Sequence, residues 1–174
     1  MKTCPQCGYD RVIEGADNCD KCGASLSHLT KPRGKSAIER SIHKERIHVL
    51  GPKAPLVVSP DATVAEVLKL LVAKSVGCVI VVEQEKVVGI FSERDVLFRL
   101  GDQAQALGGE PIRKYMTKGP ETLDLDDKIA FAVHKMDLGG YRHVPIMRDG
   151  KVVGVISARD ILGYLTHSVL NSEA

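Results

Sequence analysis

The feature that most constrains this chain is an internal repeat in its C-terminal two thirds. The tetrapeptide Lys-Val-Val-Gly at 86–89 recurs at 151–154, and the register runs back without a gap to Asp61 and Asp126. Chance rarely gives so long an ungapped match. Such self-similarity indicates a supersecondary unit that cannot bury its apolar face alone. We therefore expect two similar units that bury a shared face.

Hydrophobic periodicity predicts the same order of elements in both copies. In the first copy, residues 63–66 have the form of a capping box that opens a helix, and the apolar run 76–82 predicts a strand buried on both faces. A second strand is predicted over 86–91, with a helix after Ser92. The corresponding predictions in the second copy are a helix over 127–137, strands over 141–147 and 151–156 joined by an Asp149-Gly150 turn, and a helix over 158–165. The expected fold class is mixed α/β (α+β), with helix-strand-strand-helix given twice.

Composition divides the chain into four segments. Residues 1–27 carry four of the five cysteines, and residues 28–52 form a polar, basic linker. Lys31 to Leu50 contain six Lys or Arg against two Glu, a net charge of +4. Within the linker, Ser36 to Glu39 resembles a capping box and predicts a short helix over 37–47. The two copies then occupy 53–108 and 109–170.

Overall composition limits the classes of function. The net charge of +2 and the 4% aromatic content, with no Trp, do not favour a nucleic-acid partner. The longest apolar run, 76–82, is too short to span a bilayer. No apolar run typical of a signal peptide follows Lys2. We expect a cytoplasmic protein without a membrane segment.

Four cysteines near the N-terminus have metal-ligand spacing. Two residues separate Cys4 from Cys7 and Cys19 from Cys22, with eleven residues between the pairs. A glycine follows each pair, which permits the positive φ of a tight turn. Four thiolates match a tetrahedral, structural zinc ion with no position open for water. Iron uses the same ligands, and two disulfides or four unrelated thiols are the remaining alternatives. The segment resembles a short zinc ribbon, and because it is so small we expect no core of its own and most of its folding free energy from the metal.

Both copies carry Gly-h-h-Ser-x-x-Asp, where h is apolar, at the junction of the second strand and the last helix. The residues are Gly89, Ser92 and Asp95 in the first copy, and Gly154, Ser157 and Asp160 in the second. One interpretation is structural, because Ser-x-x-Asp is itself a capping box. The other is a nucleotide site, with phosphate at the helix N-terminus and ribose hydroxyls on the carboxylate. In that case the glycine is expected to let the ligand approach the backbone closely.

The tandem unit resembles a pair of cystathionine-β-synthase (CBS) domains, which together form a Bateman module. The markers are Pro60-Asp61-Ala62-Thr63-Val64, the phrase Tyr141-Arg142-His143-Val144-Pro145-Ile146, and both Gly-h-h-Ser-x-x-Asp junctions. The resemblance covers about residues 53–168. It implies two β-sheet–helix domains related by pseudo-two-fold symmetry, with clefts that often bind adenosine ligands. It also implies pairing of two modules through their helices, hence a homodimer.

The resemblance also implies the contacts of an adenine nucleotide. Asp95 and Asp160 would hold ribose hydroxyls, and Ser92 and Ser157 would lie beside ribose or phosphate. The remaining expected nucleotide-binding residues are Val57, Val58, Thr122, Leu123, Tyr141, Arg142, His143 and Pro145.

The two copies differ in their cationic residues. Arg142 and His143 align with Gly77 and Cys78, so the second cleft is expected to bring its own cations toward phosphate and to be occupied first. A solvated strand end or a salt bridge to Asp137 or Asp149 is the alternative for these two cations. Arg94 and Arg159 follow the helix starts and are expected at the surface, with phosphate contact as the alternative, and Cys78 is expected to be a buried core thiol.

These features favour regulation over catalysis. We find no nucleophile–base pair, open metal site or phosphate-transfer loop in the sequence, so we do not expect an enzyme. The leading hypothesis is a sensor in which AMP, ADP or ATP binds the tandem module and shifts its shape or assembly, acting on a separate target protein. S-adenosylmethionine or a dinucleotide would use many of the same contacts. The alternative is a nucleic-acid- or protein-binding regulator that acts through the ribbon and the basic segment 31–48, and a third is a redox role for an iron-loaded ribbon.

Overall fold

The central element of each copy is an antiparallel hairpin. The computed structural model describes residues 3–12, 16–26 and 37–170. The first hairpin consists of β2 (Cys78–Glu83) and β3 (Lys86–Ser92). The second consists of β6 (His143–Arg148) and β7 (Lys151–Ser157). These four strands confirm the predicted strands to within two residues at each end, and the mixed α+β class is confirmed.

The two hairpins share their turn and their irregularity. The central turn residues have positive φ in both, at Gln84 and Glu85 and at Asp149 and Gly150, which is the type I′ geometry that suits the twist of a two-residue hairpin. A register shift follows Val81 in the first hairpin and Ile146 in the second. Because these two residues occupy equivalent positions in the copies, the repeat extends to the detail of strand pairing.

Short strands of two residues complete the sheets. β1 (Val57–Val58) pairs in parallel with β2, and β4 (Thr117–Lys118) pairs antiparallel with β3, so the first sheet has the order β1-β2-β3-β4. β5 (Leu123–Asp124) pairs in parallel with β6 in the second sheet, of order β5-β6-β7. The sequence did not predict β1, β4 or β5, because two residues give no periodic signal.

The helices begin near their predicted starts but differ at their ends. α2 (Val64–Lys74) opens with the predicted capping box of Thr63 and Glu66. The others are α1 (Ala37–Lys44), α4 (Ile129–Gly139) and α5 (Ala158–Leu170). After Ser92, α3 (Glu93–Asp95) continues as a π-helix over Val96–Leu100. Helical turns of the 3₁₀ type cover Ile47–Leu50, Gly101–Gln103 and Ile112–Lys114.

The predicted helix over 37–47 is too long, for a tertiary reason. α1 ends at Lys44 because the next residues bond to the start of α4: the Ile47 N–H donates to the Asp127 carbonyl (2.8 Å), and the Ile129 N–H donates to the Glu45 carbonyl (3.0 Å). The predicted N-cap Ser36 lies outside the described residues.

The same contact occurs at the start of α2, between the equivalent residues of both partners. The Ile112 N–H donates to the Ala62 carbonyl (2.8 Å), and the Val64 N–H donates to the Glu110 carbonyl (2.9 Å). Ile47 and Ile112 are both fully buried. The repeat therefore extends back to residues 45 and 110, farther than the sequence match alone indicated.

The chain forms two compact units whose boundaries do not coincide with those of the two copies. One unit comprises residues 51–125 and 141–157 and contains both sheets. Its core includes Val64, Val79 and Phe91, all fully buried. The other comprises residues 1–50, 126–140 and 158–174, with the cysteine segment, α1, α4 and α5. Within the described residues, no helix has both the length and the apolarity to cross a membrane.

Candidate functional site

A cavity of about 550 Å³ lies in the unit that contains both sheets. Three segments line it: the β3–α3 junction with Ser92 and Asp95, the stretch from Thr117 to Glu121, and residues 141–143. This volume falls within the range of small-ligand pockets. The cavity is the candidate ligand site.

Asp95 is the buried polar residue of the cavity wall, with 8% of its surface exposed. Its Oδ2 accepts hydrogen bonds from the Ser92 N–H (2.9 Å) and the Ser92 hydroxyl (2.7 Å). Its Oδ1 accepts from the Thr117 hydroxyl (3.3 Å) and lies 3.2 Å from Arg99 Nε. Ser92 and Asp95 thus make the cap contact that the sequence allowed, and each carboxylate oxygen already has two partners.

Arg99 joins Asp95 to residues 115–117, at the start of β4. Besides its ion pair with Asp95, its guanidinium donates to the carbonyls of Tyr115 (2.7 Å) and Met116 (2.6 Å) and to the Thr117 hydroxyl (2.9 Å). The sequence reasoning missed both Arg99 and Thr117. The i,i+4 spacing of Asp95 and Arg99 was an available signal, whereas no local pattern marks Thr117, which is distant from Asp95 in the sequence.

The junction glycines do not serve the role expected of them. A Cβ on Gly89 would lie 2.3 Å from Met116 Sδ, and one on Gly154 would lie 2.6 Å from Pro52 Cβ. The expectation that these glycines let a ligand approach the backbone is therefore wrong, because the chain's own side chains fill the space. A side chain at position 77 would meet a similar obstacle, since a Cβ added to Gly77 would lie 2.7 Å from His143 Nε2.

The cations of the second copy line the same cavity as the junction of the first. Tyr141, Arg142 and His143 lie in the wall together with Ser92 and Asp95. Burial raises the pKa of Tyr141 above its usual 10, and the negative charge of Glu121 adds to this effect. Arg94 also lines the cavity, with its guanidinium 5.4 Å from the centre of the Phe98 ring.

The other predicted nucleotide contacts lie elsewhere. Ser157 ends β7 opposite His143, and Asp160 lies in the first turn of α5. Val58, Leu123 and Pro145 are buried in their sheets, and Val57 is 46% exposed. The predicted residues of the sheet-containing unit that do not line the cavity are Val57, Val58, Thr122, Leu123, Pro145 and Ser157.

The four N-terminal cysteines come together as predicted. Their Sγ atoms all lie within 4.8 Å of one another. Cys4 Sγ is 3.8 Å from Cys22 Sγ, and Cys7 Sγ is 3.7 Å from Cys19 Sγ. These separations are far longer than a disulfide bond. They match the edge of about 3.8 Å of a tetrahedron of sulfurs around zinc with Zn–S near ~2.3 Å.

Two equivalent turns position the sulfurs. Gly8 and Gly23 have φ of +69° and +71°, as predicted. The Gly8 N–H donates to the Cys4 carbonyl (2.9 Å), and the Gly23 N–H donates to the Cys19 carbonyl (2.8 Å). Although burial opposes ionisation, backbone N–H groups of Cys7 and Gln6 and neighbouring thiols lower the pKa of Cys4 to about 7. The first turn therefore favours a thiolate at Cys4, which is the metal-binding form. Although the Ala24 N–H opposes the shift, burial and the neighbouring thiols raise the pKa of Cys22 to about 12 in the absence of a metal ion.

The segment has a small core of its own, contrary to expectation. Cys4, Val12, Ala16, Cys19 and Leu26 are buried together, with Phe131 of α4 packed against them. By contrast, Cys78 is buried within β2, and its burial together with the charge of Glu93 raises the pKa of that thiol to about 12.

Comparison with known proteins identifies the fold that holds the cavity. The CBS-domain family model matches twice, at residues 52–102 and 112–167. The chain belongs to the CBS-domain family.

Similar proteins occur in other organisms. An uncharacterized 17.7 kDa protein of Acidianus ambivalens is 35% identical over 107 residues, which cover 60% of this chain and 63% of that protein. The CBS domain-containing protein CBSCBSPB5 of Arabidopsis thaliana is 32% identical over an alignment covering 96% of this chain but only 32% of that protein. The chain thus spans less than two thirds of the length of these relatives.

Solved CBS structures share the fold. A CBS-domain containing protein of Agrobacterium tumefaciens is 27% identical with a TM-score of 0.64, covering 69% of this chain and 98% of that one. The CBS domain pair of protein MJ0100, crystallised with 5′-methylthioadenosine and S-adenosyl-L-methionine, is 22% identical with a TM-score of 0.63 and covers 71% of this chain and 98% of that one.

Proposed function

We propose that this protein is a cytoplasmic, non-catalytic sensor that binds an adenine nucleotide in the cavity beside Asp95. The observation that carries the proposal is the convergence on one cavity of a helix N-terminus, a buried carboxylate, the Arg142 guanidinium and the His143 imidazole. The adenosine ligands of a CBS pair with the same fold support it. A ligand that binds one conformation of the module better than another would change its state, and a separate target protein would respond to that change.

The position of Arg142 and His143 decides which cleft we propose to fill first. In the sequence, Arg142 and His143 belong to the second copy, and we therefore expected them to act in the cleft of Ser157 and Asp160. In the structure they lie with Ser92 and Asp95. We therefore propose that phosphate binds beside Arg142 in the Asp95 cavity, and that Asp160 serves a second, weaker site.

The test is a thermal-shift and calorimetric screen of AMP, ADP, ATP, S-adenosylmethionine and 5′-methylthioadenosine with wild type, Arg142→Ala and Arg148→Ala. Arg148 is the matched control, because it is the exposed last residue of β6, the strand that follows Arg142, and lies outside the cavity. We expect Arg142→Ala to weaken nucleotide binding about 10- to 100-fold, the loss of one charge-assisted hydrogen bond, and Arg148→Ala to leave it unchanged. Binding of the phosphate-free ligands alone would contradict the nucleotide assignment.

We also propose a homodimer, supported by exposed apolar side chains on the helices. Val72, Leu97 and Phe98 are 81%, 72% and 78% exposed, and Leu162, equivalent to Leu97 in the second copy, is 62% exposed. Light scattering is expected to give a mass about twice the 18.9 kDa of one chain. Leu97→Glu should yield monomer, whereas Val153→Glu, at an exposed site on β7, should not. A monomeric wild type would overturn this proposal.

Nucleic-acid binding through the basic linker receives less support. Residues 31–36 lie outside the described part of the chain, and Arg46 donates to the Asp126 carbonyl. At least one of the six linker cations is therefore used within the protein.

We propose zinc as the metal of the four cysteines, with Cys4, Cys7, Cys19 and Cys22 as its ligands. All four tetrahedral positions are filled by sulfur, so the ion would cross-link two turns and offer no position for a reacting molecule. Iron remains the alternative, since it takes the same ligands.

A further inference from the structure

The first helices of the two copies begin in chemically different ways. α2 has a complete capping box: the Thr63 N–H donates to Glu66 Oε2 (2.8 Å), and the Glu66 N–H donates to Thr63 Oγ1 (3.3 Å). The repeat places Lys128 at the position of Thr63 and Phe131 at the position of Glu66. Neither side chain can complete a capping box, and the N-cap of α4 has no side-chain cap bond.

The same two residues contact the cysteine segment. Lys128 Nζ lies 3.0 Å from Asp17 Oδ1, with the lysine side chain 13% exposed and the aspartate side chain 55% exposed. Phe131 packs against the buried cluster that includes Cys4 and Cys19. An ion pair with one exposed partner contributes little to stability, so the packing of the Phe131 ring is the larger contribution of the two.

The backbone contacts at the two helix starts are alike in one bond and differ in others. Ile129 donates to the Glu45 carbonyl just as Val64 donates to the Glu110 carbonyl. In the first copy the Ala65 N–H also donates to the Gly108 carbonyl, and in the second the Phe131 N–H donates to the Lys128 carbonyl. The side chains at the Thr63 and Glu66 positions therefore account for part of the difference between the two helix starts.

We propose that the metal-bound cysteine segment is a cap for α4 that replaces the capping box, so that metal occupancy controls the stability of this helix. The proposal rests on the metal site proposed above. Metal supplies folding free energy to such a segment, and a segment that packs on α4 only when folded transmits that free energy to the helix. The ribbon would then act within its own chain, as a metal-dependent clamp on the second CBS copy.

The test restores the missing capping box by K128T/F131E, which copies the first repeat into the second. Hydrogen exchange of peptides from α4 is measured in zinc-loaded protein and after chelation, with α2 as the internal control. In wild type, chelation is expected to speed exchange in α4 about 10-fold and to leave α2 unchanged. In K128T/F131E, where the helix has its own cap, chelation should change exchange in α4 by less than twofold. The single variant Lys128→Thr serves if the double variant does not fold.

The outcomes of this experiment distinguish a failure of the clamp proposal from a failure of the metal-site proposal. Release of four reactive thiols on chelation with unchanged exchange in wild-type α4 would overturn the clamp and leave the metal site intact. If the purified protein contains no metal and takes up none, the metal proposal fails, and Phe131→Ala then tests the contact alone. Faster exchange in α4 of that variant supports the cap, and unchanged exchange refutes it.

Discussion

Replacement of Cys19 by Ser is expected to remove the metal and unfold the cysteine segment. Wild-type protein should contain one metal ion per chain, whereas Cys19→Ser should lose on the order of 100-fold or more in affinity, because a neutral hydroxyl replaces one of four thiolates. The buried cluster of Cys4, Val12 and Leu26 is too small to keep the fold without that cross-link. Elemental analysis and the NMR signals of residues 3–26 provide the measurement.

Cys78→Ser is the matched control for this substitution. Cys78 is also buried, but it lies in β2 and is not part of the four-cysteine cluster, so its replacement should leave the metal content at one per chain. A visible absorption spectrum distinguishes iron from zinc, since Zn²⁺ has a filled d shell. Unchanged metal content and an unchanged N-terminal NMR pattern in Cys19→Ser would contradict the site.

Local signals in the sequence were sufficient to predict the repeated order of strands and helices. The alternation and apolar runs around Val79 and Val144 gave the four hairpin strands, and the Thr63 and Glu66 pair gave the start of α2. These predictions succeeded because strand periodicity and capping act over a few residues. The cysteine spacing gave the cluster for the same reason, since two short turns fix all four sulfurs.

Such local signals could not predict contacts between residues that are far apart in the sequence. The end of α1 depends on bonds from residues 45–47 to the start of α4, which lies in the second copy and far along the chain. The cavity combines Asp95 of one copy with Arg142 of the other, which an alignment of the copies separates. The sequence register predicts a site for Arg142 with Asp160, whereas in the structure Arg142 lines the cavity of Asp95.

Substitution of Asp95 by Ala is expected to have two separable effects, on stability and on ligand binding. The carboxylate holds the Ser92 N–H, the Thr117 hydroxyl and the Arg99 guanidinium while only 8% exposed. Its removal leaves a partly buried charge and a backbone donor without their partner, at a cost of about 2–4 kcal/mol. The melting temperature should therefore fall by about 4–12 °C.

The ligand effect of Asp95→Ala is measured well below that melting temperature. If Asp95 also accepts ribose hydroxyls, nucleotide affinity should fall at least about 10-fold in protein that remains folded by circular dichroism. Thr117→Val is the matched control, because it removes a bond to the same Oδ1 atom and keeps the carboxylate. It should lower the melting temperature less and retain binding.

Asp160→Ala makes the corresponding change in the second copy and tests which cleft binds nucleotide. With the cations Arg142 and His143 beside Asp95, the loss of affinity should be larger for Asp95→Ala than for Asp160→Ala. Asp95 acts only as a helix cap if Asp95→Ala melts earlier yet binds nucleotide with wild-type affinity. The Ser-x-x-Asp junction of the first copy would then be structural, and loss of binding in Asp160→Ala would move the nucleotide to the second. A cap and a ligand contact compete for the same two oxygens, so the ligand must displace or share bonds that now connect α3 to Thr117. If nucleotide binds there, that exchange would link binding to β4, the strand that begins at Thr117.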